Sequence, residues 1–124
     1  MADVIQTLTS YLHKENEKAL RRLEQRLQEE GYEPDFFGEV KPYVDEFYPK
    51  KDEWQELCKQ WIKEEKPKYI APNQIDSTEE NLNNVVLQSF YKDTKVKRFK
   101  QMYQANKYVL ESILTYKEKG NEYI

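Results

Sequence analysis

Apolar residues in this chain recur at steps of three and four along four stretches, and nowhere do they alternate with period two. The first spacing puts them on one face of a helix. The missing second spacing leaves no predicted strand. The opening stretch predicts a helix from Asp3 to Glu30. Ile5, Leu8, Leu12, Ala19, Leu20, Leu23 and Leu27 mark its buried face, with a gap near Asn16. Asp3, with Gln6 three residues on, reads as a capping box. Gly31 reads as the residue that ends the helix, because glycine enters the left-handed region cheaply. Lys14, Glu17, Lys18, Arg21, Glu24 and Arg26 form the solvated face, several of them spaced as helical ion pairs.

Pro34 fits the first position of a second helix. Phe37, Val40, Val44, Phe47, Trp54, Cys58 and Trp61 hold the three-four rhythm, broken at Lys51. The rhythm persists across Pro42 and Pro49, although an interior proline costs about 3 kcal/mol. It predicts one long, kinked helix that ends near Lys66, before Pro67. The competing reading is a loop to Tyr48 with the helix starting at Pro49. In-phase aromatics on both sides of Pro49 favour the continuous helix. Residues 67–76 read as a loop, with Tyr69, Ile70 and Ile75 folding back over one end.

A third, shorter helix is expected from Ser77, with Glu80 completing a capping box. Leu82, Val85, Val86, Ser89 and Phe90 form its buried face. A fourth follows Asp93 or Thr94, either of which can cap it. Its stripe is Val96, Phe99, Met102, Tyr103, Asn106, Val109, Leu110, Ile113 and Tyr116, ending at Gly120. Four amphipathic segments on short connections predict an all-α, up-and-down four-helix bundle. At 124 residues the chain suits a single domain, 1–124.

Composition changes this picture little. Hydrophobic residues make up 38% and charged residues 35%, which raises disorder as an alternative. Aromatics at 14%, regularly spaced, argue against it. The net charge of -3 argues against a dedicated DNA-binding protein. A lone cysteine, Cys58, excludes an intrachain disulfide and a cysteine-rich zinc site. There is no signal-peptide pattern at the N-terminus. No apolar run approaches the roughly 20 residues of a spanning helix. A soluble, cytoplasmic protein without membrane contact is the expectation.

Three motifs carry a family resemblance: Val40-Lys41-Pro42-Tyr43-Val44-Asp45, Trp54 with Trp61-Ile62, and Asp93-Thr94-Lys95-Val96-Lys97-Arg98-Phe99. In these, and over most of its length, the chain resembles the YppE-like family of small bacterial proteins of unknown function. The resemblance implies a left-handed up-and-down four-helix bundle. It implies no activity and transfers no catalytic residue.

The inventory for chemistry is thin. Di-iron bundles need Glu-x-x-His on two helices. This chain has one histidine, His13, with Ser10 three residues before it. No Asp-x-Asp loop suggests Mg²⁺ or Ca²⁺. Cys58 lies on the apolar stripe among Phe47, Trp54 and Trp61, where a thiol is usually an inert core residue. There is no Gly-x-Ser-x-Gly, and three glycines build no phosphate-cradling loop. Glu64-Glu65 and Glu79-Glu80 sit at helix ends and need no catalytic role. The stripe Phe47, Trp54, Trp61 has a ligand-pocket reading, but its heptad spacing is what bundle cores require. No cofactor or metal is expected. Asn106 and Ser89 interrupt apolar stripes. They suggest a helix-to-helix hydrogen bond that could fix bundle register, or an unseen polar pocket.

One feature stands apart. Lys92, Lys95, Lys97, Arg98 and Lys100 crowd the start of the fourth helix, where cations oppose the helix dipole. Residues 94–119 carry seven basic and two acidic side chains, a balance of +5. Residues 29–65 carry twelve acidic and five basic, a balance of -7. Helices 2 and 4 of an up-and-down bundle are diagonal, so these charges would lie on opposite sides. Lys95, Lys97, Arg98 and Lys100 are candidate anion-binding residues, with Tyr91, Phe99 and Tyr103 as candidate stacking rings. Phe99, in phase with the core stripe, is expected to be buried. The bland alternative pairs these cations with Glu79, Glu80 and Asp93, or leaves them solvated. The functional expectation is a non-enzymatic interaction or regulatory module for an unknown protein partner or a second copy. Single-stranded nucleic-acid binding is the less favoured alternative, and an enzyme with a hidden pocket the weakest. All of this requires Trp54, Cys58 and Trp61 to be dry.

Overall fold

The first amphipathic stretch forms α1 (Val4–Gln28) in a computed structural model, which describes residues 3–31 and 33–119. The Asp3 carboxylate caps it, accepting the Gln6 N–H at 3.2 Å. Leu8, Leu12, Ala19 and Leu23 are buried. Leu27, expected on the same face, is 41% exposed in the last turn. Gly31 does adopt a left-handed φ of +71°, but the helix has already stopped, with extended backbone at Glu29. Asn16 fills the gap in the stripe. It is fully buried and donates to the Tyr103 carbonyl at 3.1 Å. Its Oδ1 accepts from Asn106 Nδ2 at 3.1 Å, the helix-to-helix bond expected at Asn106.

The second helical segment starts at Phe36 rather than Pro34. Its first turn is a π-turn, Phe36–Val40, in which the Val40 N–H reaches back five residues to the Asp35 carbonyl at 3.1 Å. The Asp35 carboxylate caps it by accepting the Gly38 N–H at 2.9 Å. α2 (Lys41–Glu65) continues without a break. Pro42 is the second residue of α2, directly after the π-turn. Pro49 is interior and on the exposed side. The wide π-turn rotates Phe37 off the stripe, so this predicted core residue is 77% exposed. Lys51, read as a break, sits on the stripe and is buried. Its Nζ donates to Glu79 at 2.6 Å and Asn83 at 2.7 Å. Phe47, Trp54, Cys58 and Trp61 are buried as expected, and Trp54 Nε1 donates to Thr9 Oγ1 at 3.0 Å.

α3 (Pro72–Gln88) starts five residues before Ser77. Pro72 opens it by the rule applied to Pro34, and the Gln74 side-chain oxygen accepts the Ala71 N–H at 2.8 Å. No Ser77–Glu80 capping box forms, because both residues lie inside the helix. Ile70 and Ile75 are buried, but Tyr69 is 89% exposed and does not fold back over the bundle. Leu82, Val85, Val86, Ser89 and Phe90 are all buried. The Thr94 hydroxyl donates to the Gln88 carbonyl at 2.8 Å, tying the connection instead of capping α4 (Val96–Lys119). The expected stop at Gly120 lies outside the described residues.

α1 and α3 each pack against both α2 and α4. α2 and α4 are therefore diagonal, as the charge argument required. They touch where Trp61 meets Tyr116 edge to face, centroids 5.5 Å apart. The result is an all-α four-helix bundle with no strand among the described residues. One core cluster surrounds Trp54, Cys58 and Trp61, and a second gathers Ala19, Leu23, Val85, Phe99 and Met102. Lys117 ties one end, 3.0 Å from Asp3 and 4.4 Å over the Trp61 ring. Partial burial works against ionisation of Asp3, but the Lys117 ammonium and the Gln6 N–H outweigh it and hold its pKa below the usual value.

Candidate functional site

The predicted cations lie where the ends of α1 and α3 meet the start of α4. Lys92 is tied down, donating to the Glu29 carbonyl at 2.6 Å. Lys95, Lys97, Arg98 and Lys100 are all exposed, and none makes an ion pair among the described residues. Glu79, expected to neutralise them, is held by Lys51. Of the candidate stacking rings, Phe99 is fully buried and Tyr103 nearly so. Tyr91 is half-buried. The cations are grouped and available, and two of their three proposed aromatic partners are spent on the core.

Sequence reasoning missed the aromatic pair at the same end. Phe36 and Phe37 meet edge to face, centroids 5.2 Å apart, and both are exposed. The turn beneath them is held by the Asp35 cap. Gly38 lies so close to the capping Asp35 carboxylate that any Cβ would collide with it. Arg26 lies 3.2 Å from Glu29 and 3.6 Å from Glu39, joining the end of α1 to the π-turn. Leu27, next in sequence, adds exposed apolar surface. Only Gly38 and its preceding Asp hinted at this turn in the sequence.

Most polar groups inside the bundle are occupied, although the Oδ1 of fully buried Asn106 accepts no hydrogen bond. The Arg22 guanidinium lies 4.4 Å from the centroids of both the Tyr43 and the Phe90 ring and donates to Ser89 Oγ at 2.6 Å. Ser89 in turn donates to the Val86 carbonyl at 2.6 Å. The Tyr43 hydroxyl donates to the buried Glu15 carboxylate. Burial, then that hydrogen bond, pushes the Tyr43 pKa up to about 12. These contacts knit α1, α2 and the end of α3 together. His13 Nε2 lies 3.0 Å from Glu111 Oε2 across α1 and α4, on the outside. Among the described residues no cluster of His, Cys, Asp and Glu could hold a metal ion.

Cys58 is fully buried, and burial pushes its thiol up to about 12. The thiolate is the reactive form. At pH 8 the native protein is expected to react with a disulfide reagent at least ~100-fold more slowly than the urea-unfolded chain. A stopped-flow thiol assay measures both rates, and comparable rates would mean that the core around Trp54 opens readily.

The family model described as a bacterial domain of unknown function, DUF1798, matches residues 9–116. The uncharacterised protein YppE of Bacillus subtilis is 34% identical over 79 residues, a match spanning 64% of this chain and 64% of that protein. A crystal structure of a protein of unknown function from Listeria innocua superposes with a TM-score of 0.88 at 26% identity, covering 95% of this chain and 94% of that one. The crystal structure of B. subtilis YppE gives 0.86 at 27% identity, covering 95% of both chains. The resemblance read from residues 40–45, Trp54, Trp61 and 93–99 is borne out. No helix of the described residues is long and apolar enough to cross a membrane.

Proposed function

The chain belongs to the bacterial DUF1798 family, and from the surface its bundle presents we propose that it is a non-enzymatic protein-interaction module. One observation carries this reading: two adjacent phenyl rings held in solvent by a capped π-turn. Exposed rings cost solvation that burial in the bundle would recover. π-turns are enriched at functional sites. Clustered aromatics are the residues that anchor protein interfaces. The cations at the start of α4 supply a polar rim that steers approach. The partner is a protein with an apolar groove that takes both rings.

The test is capture from bacterial lysate at low salt, comparing the wild type with Phe36→Ser/Phe37→Ser. Both side chains are exposed, so the variant should keep its helical circular dichroism. The expected outcome is a captured protein whose recovery falls at least ~10-fold in the variant. Equal recovery would defeat the reading. Four unpaired cations favour a second reading, binding of single-stranded nucleic acid. It requires steep salt dependence with a labelled oligonucleotide and weakening in Lys97→Ala/Arg98→Ala.

A further inference from the structure

At the opposite end of the bundle, the loop between α2 and α3 stands away from the outer face of α4 and leaves a groove of about 410 Å³. That volume lies within the range of small-molecule sites. Lys66, Lys68 and Tyr69 form one wall, and Tyr108, Ser112 and Tyr116 form the other. Buried Ile70 belongs to the same lining.

Three features of this groove need a reason. The first is backbone strain. Lys66 and Tyr69 both have positive φ, +48° and +68°. Lys66 ends a helix, where that conformation is common. Tyr69 has no such excuse, and a bulky residue there is a genuine outlier. The loop holds it because buried Pro67 and Ile70 anchor either side and Gln74 pins the Ala71 N–H. The second is the display of rings. The strained residue does not pack: Tyr69 is 89% exposed and Tyr108 is 67% exposed. The third is charge. Among the described residues no carboxylate lines the groove, in a chain with 23 acidic residues. The acids closest in sequence are engaged, Glu65 by Trp61 Nε1 at 2.7 Å and Glu111 by His13. Lys66 and Lys68 make no ion pair among the described residues. The carbonyl end of α2 accounts for cations there, but not for the phenol rings.

The geometry points to a binding site for a small planar aromatic anion. Its ring stacks against the Tyr69 and Tyr108 faces, its negative group meets the Lys66 and Lys68 ammoniums, and the Thr115 hydroxyl offers a hydrogen bond, while the Ser112 hydroxyl is engaged with the Tyr108 carbonyl at 2.7 Å. This site goes beyond the interaction reading. It shares no residue with Phe36 and Phe37, so the two stand or fall separately.

The ring and its charge can come from a nucleotide or from an aromatic carboxylate, and two arms separate these sources. The uniformly ¹⁵N-labelled full chain is titrated with AMP in one arm and indole-3-acetate in the other. Adenosine, indole and inorganic phosphate serve as half-probes. The expected result is saturable shifts confined to residues 66–70 and 108–116, with Kd below about 1 mM for at least one complete probe. The half-probes should bind at least ~10-fold more weakly. Lys66→Gln/Lys68→Gln should weaken binding by a similar factor while lowering the melting temperature only slightly, through the two cations lost from the carbonyl end of α2. Tyr69→Gly should weaken binding yet hold or raise the melting temperature, because glycine relieves the left-handed backbone. No saturation at millimolar probe overturns the proposal. So does phosphate binding as well as AMP, since that needs only the lysines. A lower melting temperature in Tyr69→Gly would also overturn it, by making the ring a packing element.

Discussion

Trp54→Ala is expected to lower folding stability by about 3–5 kcal/mol. The indole is completely buried in the core cluster between α1 and α2. Its Nε1–H bonds to Thr9 Oγ1, which itself donates to the Ile5 carbonyl at 2.6 Å. Truncation removes a large apolar surface and opens a cavity that rigid neighbouring helices cannot fill. Trp54→Phe separates the contributions. It keeps most of the ring and leaves Thr9 its bond to Ile5, so about 1 kcal/mol of the loss belongs to the lost hydrogen bond. Urea denaturation followed by Trp61 fluorescence measures both variants. A loss under about 1 kcal/mol in Trp54→Ala would contradict a dry core at this position.

Glu79→Ala should cost about 2 kcal/mol, below the roughly 3–5 kcal/mol of a fully buried pair. Lys51 is 4% exposed, and removing Glu79 takes its 2.6 Å partner. Asn83 at 2.7 Å and Asp52 at 3.3 Å remain to hold the ammonium, and Glu79 is itself partly in water. Both circumstances soften the loss. Replacing both partners with apolar residues, Lys51→Met and Glu79→Leu, should come close to neutral, because no buried charge is then left alone. A double-mutant cycle in urea gives the coupling directly. A single-mutant loss as small as a surface pair's, below about 1 kcal/mol, would mean that the ammonium escapes to solvent.

Lys51 also shows where sequence reasoning stops. Its position on the stripe was plain, but a charged residue there reads as an interruption. Its partner lies on another helix, and periodicity describes only one helix at a time. The long methylene stem lets lysine fill core space while its ammonium finds Glu79. Phe37 was misplaced for a different reason. A π-turn carries no repeat of its own, so the α-helical period was extended three residues too far. The start of α3 is misplaced because the prolines of residues 67–76 read as loop signals, whereas Pro72 opens the helix. The stripes themselves were legible because each of the four helices buries a wide apolar face. Trp54, Cys58, Trp61, Phe99 and the Asn106 hydrogen bond followed from that. At the candidate site, the exposure of Lys95, Lys97, Arg98 and Lys100 was legible, and the engagement of Glu79 elsewhere was not. The groove beside Tyr69 was invisible, because a backbone angle leaves no mark in a list of residues.

Pro49 divides α2 unevenly. It has no N–H to offer the Asp45 carbonyl, so one rung of the ladder is missing on the solvent side. The turns before it bury Val44 and Phe47, and the turns after it bury Trp54, Cys58 and Trp61, all in one core cluster. Side chains clamp the helix on both sides of the gap, so the missing rung opens no hinge. The rings on display are therefore carried by a helix that cannot shift without opening the bundle behind them, and a partner must come shaped to receive them.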